Sequence, residues 1–155
     1  MKRGIIVFVM CVCFAGLAAA QEYNTGIGIR AGNSSGLTIK HFTSRKAAFE
    51  GLLTTRWEGF DITGLYEVHG KAFDVNHLNW YYGGGGHIGF YNGSNANWGD
   101  RGVAYTVIGI DGILGLEYTF GDLPVNIGID WKPALNLVGY TGLWSEGGLS
   151  VRYVF

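Results

Sequence analysis

From Asn24 onward, large apolar side chains alternate with polar ones, and no helical period is sustained. Period 2 places successive side chains on opposite faces of a pleated strand. The alternation predicts eight strands, near Asn24–Ala31, Gly36–Phe42, Ala47–Trp57, Phe60–His69, Leu78–Tyr91, Val103–Phe120, Pro124–Lys132 and Leu143–Phe155. Turn-forming residues fall between them: Gly32–Ser35, Thr43–Lys46, Glu58-Gly59, Asn92–Gly102 and Gly121–Leu123.

The two faces differ sharply. Ile27 and Ile29 lie opposite Arg30, and Leu37 and Ile39 opposite Thr38 and Lys40. Phe49, Leu53 and Trp57 lie opposite Glu50, Thr54 and Arg56. Phe60, Ile62, Tyr66 and Val68 lie opposite Asp61, Thr63 and Glu67. Trp80, Tyr82, Ile88 and Phe90 lie opposite Tyr81, His87 and Tyr91. The same split sets Ile110, Leu114, Leu116, Tyr118 and Phe120 against Asp111 and Glu117. It sets Val125, Ile127, Ile129 and Trp131 against Asn126, Asp130 and Lys132, and Leu143, Leu149, Val151, Tyr153 and Phe155 against Glu146 and Arg152. Alternation alone does not say which face is inside. A soluble barrel would bury the apolar face; a membrane barrel would turn it toward lipid and enclose the charges.

The two ends of the chain favour the second arrangement. Lys2 and Arg3, an apolar run from Ile5 to Leu17, and Ala18-Ala19-Ala20 predict a cleavable export signal over residues 1–20, too short for a membrane helix. Residues 21–155 are then a single β-barrel domain. Cys11 and Cys13 both lie in the leader, so the mature chain is expected to have no disulfide and no thiolate chemistry. At the other end the amphipathic strand closes on Tyr153 and Phe155, an expected insertion signal for the barrel assembly machinery.

Composition narrows the function. Without Lys2 and Arg3 there are nine basic residues against 12 acidic ones, a formal charge of −3. That is too mild for nucleic-acid binding, and no basic stripe exists. With 27 glycines, 2 prolines and 15% aromatics, the chain suits closely packed strands bordered by interfacial rings. Tyr23, Trp57, Phe60, Trp80, Tyr105, Tyr118, Phe120, Trp131, Tyr153 and Phe155 are the expected girdle. Gly83 to Gly86 are expected to leave room for long inner side chains.

The expected fold is all-β: an eight-stranded antiparallel up-and-down transmembrane barrel. Its interior would just fill with side chains. The predicted lumen holds Arg30, Lys40, Arg56, Lys132 and Arg152 against Glu50, Asp61, Glu67, Asp111, Glu117, Asp130 and Glu146. Buried charges must pair, so a structural salt-bridge network is the primary reading. An ion path or acid–base site is the functional alternative. With both termini periplasmic, the outer loops are Gly32–Ser35, Glu58-Gly59, Asn92–Gly102 and Pro133–Gly142, short for a receptor. The inner connections are Thr43–Lys46, Gly70–His77 and Gly121–Leu123.

On these features the chain resembles the small eight-stranded outer-membrane barrels of the OmpA/OmpX type. Leu78-Asn79-Trp80-Tyr81-Tyr82-Gly83-Gly84-Gly85-Gly86-His87 and Gly128-Ile129-Asp130-Trp131-Lys132-Pro133 look like segments of exported barrel proteins from Bacteroidota. The resemblance implies an outer-membrane location in the cell envelope and the barrel fold; it transfers no catalytic residue.

Three functions compete. The first is a non-enzymatic, porin-like envelope barrel, a monomer whose partners are outer-membrane lipid and the assembly machinery, with no cofactor. The second is a lipid A-modifying enzyme. Its deacylase form would need Ser and His together, but His87 is followed by Ile88-Gly89 and Ser94-Asn95 lies further on. The third is a soluble periplasmic lipocalin-like barrel with Trp and Tyr lining a ligand cavity. His69, Asp74 and His77 fit no zinc spacing and read as a solvated connection. His41 reads as interfacial. Gly83–Gly86 lacks the lysine and helix of a phosphate loop.

Overall fold

A computed structural model describes residues 23–94 and 100–155. The expected leader over residues 1–20 and the centre of the Asn92–Gly102 loop lie outside the described residues. Eight strands follow one another: β1 (Thr25–Gly32), β2 (Ser35–Phe42), β3 (Ala47–Arg56), β4 (Gly59–Lys71), β5 (Leu78–Asn92), β6 (Ala104–Thr119), β7 (Val125–Val138) and β8 (Gly142–Val154). Each pairs antiparallel with the next, and β1 pairs with β8 to close the barrel. None of these eight strands is left with an open edge.

The orientation of the faces is inverted relative to a soluble protein. Ile29, Leu37, Phe49, Ile62, Ile110, Ile129 and Leu149 all point outward and are exposed. Arg30, Lys40, Glu50, Glu67, Glu117, Asn126, Asp130 and Arg152 point inward and are buried. Contiguous apolar surface of this extent is rare on a monomeric soluble protein.

One expected boundary is corrected. Residues from Pro133 onward do not form an outer loop; β7 continues to Val138, and only 139–141 connect it to β8. Pro133 is tolerated because the β6–β7 ladder lapses there. Asp111 pairs with Ala134 and Leu114 with Trp131, while Pro133 keeps its register with Ser145 on β8. The missing amide hydrogen thus falls where no ladder bond to β6 is made. Likewise β4 runs on to Lys71, which shortens the predicted Gly70–His77 connection.

The glycines of β5 serve a different purpose from the one expected. A Cβ on Gly83 would lie 2.0 Å from the carbonyl oxygen of Tyr66, and one on Gly85 1.8 Å from that of Gly64. These positions let the β4 and β5 backbones close together and curve the wall. Room for inner side chains comes from glycines elsewhere: Gly115 faces the Tyr81 ring and Gly148 the Arg30 guanidinium.

Candidate functional site

The interior is the only region where chemistry-bearing side chains of many strands converge among the described residues, and it is built in three tiers. At the end carrying the termini, Lys40 of β2 stands among three carboxylates. Its Nζ lies 2.7 Å from Glu67, 3.3 Å from Glu117 and 3.6 Å from Glu50. Arg152 of β8 donates to Glu50, to Asn126 Oδ1 at 3.1 Å and, through Nε, to Thr38 at 3.1 Å. Thr38 in turn donates to Glu50 at 2.5 Å. His69 of β4 sits between Glu67 (3.2 Å) and Glu117 (3.3 Å) and stacks on Tyr81. Isolated charges in such a site would be costly; each here is compensated by a partner on another strand.

Tyr23 closes this end. It is buried, its hydroxyl donates toward Glu117 at 3.4 Å, and its ring meets Phe42 edge-on. The girdle role expected for Tyr23 is therefore corrected: the residue before β1 turns under the barrel, not toward its exterior. The solvated-loop reading of His69 is corrected in the same way, since β4 extends past it and period 2 carries it inward with Glu67.

The middle tier is mostly apolar. Leu52, Leu65, Tyr81 and Ile113 form a buried cluster across β3 to β6. Beside it, Arg30 makes a two-pronged pair with Asp130, with Nη2 at 2.7 Å from Oδ1, and Tyr81 donates to Asp130 at 3.3 Å. Lys40 Nζ also lies 4.0 Å from the centre of the Tyr81 ring. This septum separates the charged tier below from the one above.

The upper tier opens at the mouth opposite the termini. Lys132 contacts Asp111 at 2.9 Å and Glu146 at 3.6 Å; Arg56 contacts Glu146 at 3.2 Å. His87 joins Asp111 (2.7 Å) to Asn136 (2.9 Å), and Tyr91 donates to Asp61. Ser34 donates to Glu146 at 2.9 Å. Arg56 also lies over the rings of Trp57 and Trp144, at 4.0 and 5.0 Å. Trp57 does not continue the outer face of β3 as expected. It sits in the β3–β4 turn, where Trp57 and Glu58 both adopt left-handed backbone (φ 50° and 56°), and the turn lays its ring against Trp144.

All twelve charged residues picked out by alternation are thus on the inner side. They do not form one network: Lys40, Glu50, Glu67, Glu117 and Arg152 gather below, Arg30 and Asp130 pair in the middle, and Arg56, Asp61, Asp111, Lys132 and Glu146 gather above. His69 and His87 belong with the charges; their strand parity was the available signal. Tyr153 and Phe155 lie at the end of β8, where the Phe155 carbonyl accepts from the amides of Asn24 and Thr25. No cluster of three metal-ligating side chains is found among the described residues.

Comparison with protein-family models gives no match, and no curated protein matches the chain. Among solved structures, the chain is similar to the N-terminal β-barrel domain of Pseudomonas aeruginosa OprF. The TM-score is 0.67 at 17% identity, over 87% of this chain and 100% of that one. The two share one fold, a closed eight-stranded antiparallel barrel.

Proposed function

We propose that the chain is an integral outer-membrane barrel with a structural or surface-contact role in the envelope, and that it catalyses no reaction. The observation that carries this reading is the inverted distribution of side chains: an apolar exterior around the barrel and a charged, paired interior. A closed antiparallel sheet is the β architecture that satisfies every backbone group in hydrocarbon. The likeness to a barrel domain of OprF supports the same location.

In this reading the termini face the periplasm and the mouth lined by Trp57 and Trp144 faces outward. The protein is a monomer in outer-membrane lipid, and Tyr153 and Phe155 address it to the assembly machinery. The packed septum and paired charges act as internal scaffolding, not as a pore. The non-enzymatic reading is favoured by the placement of His87, whose two ring nitrogens are taken up by Asp111 and Asn136 inside the lumen. On the exterior, His41 pairs with the Thr25 hydroxyl at 2.9 Å, with no carboxylate among the described residues contacting the ring to complete a hydrolytic triad.

The test is fractionation followed by gels of boiled and unboiled sample. Recovery in the outer membrane with a mobility shift on boiling is the expected result. A soluble periplasmic protein without the shift would overturn the proposal in favour of a lipocalin-like carrier.

A further inference from the structure

The mouth holds a feature that scaffolding does not account for. Thr54 of β3 and Thr63 of β4 line the cup at the mouth with most of each residue buried. Neither hydroxyl is sealed away as a buried atom without a partner, so both are open to hydrogen-bond with whatever enters the cup. The space between the side chains is about 30 Å³, room for about two water molecules or for the hydroxyl groups of a ligand. Above it stand Trp57 and Trp144, with ring centres 5.1 Å apart and planes inclined by 59°. Trp57 is held there by a left-handed backbone that a bulky residue rarely adopts.

We infer that this mouth is a binding site for the terminal hexopyranose of a neutral saccharide. Charge selects the class. Asp61, Asp111 and Glu146 face Arg56, Lys132 and the His87 ring, whose two nitrogens both meet oxygens, so the cup has no spare cation to match an anion. The Arg56 guanidinium already lies over both indole rings, so a cationic ligand would meet a like charge at the ring faces. A neutral ring avoids both conflicts. Its C–H face packs on the exposed part of the indoles, and its hydroxyls reach the Thr54 and Thr63 oxygens and the carboxylate of Glu146. The cup is too small for a whole pyranose, so the ring stays at the rim and only its end is read, which selects terminal over internal residues of a chain. Apolar walls with a few convergent polar groups are the usual build of a small-molecule site. The inference does not rest on a membrane location, because the cup belongs to the barrel interior in either setting.

The experiment uses the full chain refolded in a zwitterionic detergent that carries no sugar. Tryptophan emission is followed while methyl glycosides of glucose, galactose, mannose and N-acetylglucosamine are added, with inorganic phosphate and methylguanidine as the anionic and cationic probes. A saturable shift with a millimolar midpoint is expected for at least one glycoside. Thr63→Val, which keeps the side-chain shape, is expected to weaken that midpoint about tenfold through loss of one hydrogen bond. Trp144→Leu should abolish the shift, and Thr54→Val serves if either variant loses its heat-modifiable mobility. The same sugars presented as glycolipids in the micelle distinguish the source: a response to free glycosides assigns the ligand to solution, and a response to the glycolipid alone assigns it to the neighbouring leaflet. No saturable response to either form overturns the inference. So does a response to phosphate or methylguanidine instead, or one that Thr63→Val leaves unchanged.

Discussion

Arg30 on β1 reaches across β8 to grip Asp130 on β7, and the glycine at position 148 is what lets it pass. A Cβ on Gly148 would lie 2.2 Å from the guanidinium carbon of Arg30. Gly148→Ala is therefore expected to make the guanidinium shift against its carboxylate, at a smaller cost than losing the pair because the displaced atoms are the end of a flexible side chain. Arg30→Met alone should cost more, about 3–5 kcal/mol, since it leaves Asp130 buried without its partner. The double change Arg30→Met with Asp130→Leu should recover most of the loss, because no unpaired charge is left behind. Urea unfolding of the protein in lipid vesicles measures all three; a Gly148→Ala midpoint equal to wild type would contradict the steric account.

Lys40 serves three carboxylates at once, so its loss should exceed that of any other lumen cation. Lys40→Met leaves Glu50, Glu67 and Glu117 facing one another with only Arg152 and His69 nearby. The expected destabilisation is at least about 3–5 kcal/mol. Ranking the unfolding midpoints of Lys40→Met, Lys132→Met and Arg56→Met tests this; Lys40→Met should be lowest and Arg56→Met, at the open mouth, highest.

Tyr81 is the largest side chain of the septum formed with Leu52, Leu65 and Ile113. If the barrel is closed there, the wild-type protein carries no steady current across a planar bilayer. Tyr81→Ala removes the ring that separates the two charged tiers and is expected to give measurable ion conductance. Equal, non-zero currents from both proteins would show that ions bypass the septum.

Ile110 and Asp111 are neighbours on β6 that face opposite ways. Ile110→Arg puts a charge on the outer wall, which in a bilayer costs about 2–4 kcal/mol near the midplane. On a water-exposed wall the same change would cost almost nothing. Refolding yield into vesicles, read by the gel shift, separates the two cases.

Phe155→Ala is expected to lower the amount of protein reaching the outer membrane more than any substitution in the connections, if Tyr153 and Phe155 are the insertion signal. Quantitative blotting of membrane fractions checks it, and an undiminished level would assign that role elsewhere.

Strand number and the division of charged from apolar residues between two faces could be read from period 2, because a strand with one wet and one dry face has no freedom to shift by one residue; which face lay inside had to be taken from the two ends of the chain. What escaped were positions where a second constraint overrides alternation. Pro133 looked like a strand end, yet the local lapse in the β6–β7 ladder accommodates it. Trp57 followed the outer parity of β3 until the turn rotated it over the mouth. Leu52, Leu65 and Ile113 sit on the charged parity, and nothing local marks them as a septum; only the register across four strands brings them together. Tyr23 lay before the first strand, where alternation carries no information.

Arg152 belongs to the last strand, and its partners lie on β2, β3 and β7. Until β8 docks on β1, the carboxylate of Glu50 lacks its guanidinium and the lower tier stands open along one side. A half-formed sheet in hydrocarbon would carry bare charge, which the bilayer rejects. If the barrel inserts into a bilayer as proposed, insertion and closure must coincide: the growing sheet keeps its inner surface hydrated until the final seam zips, and the water leaves as the charges find one another.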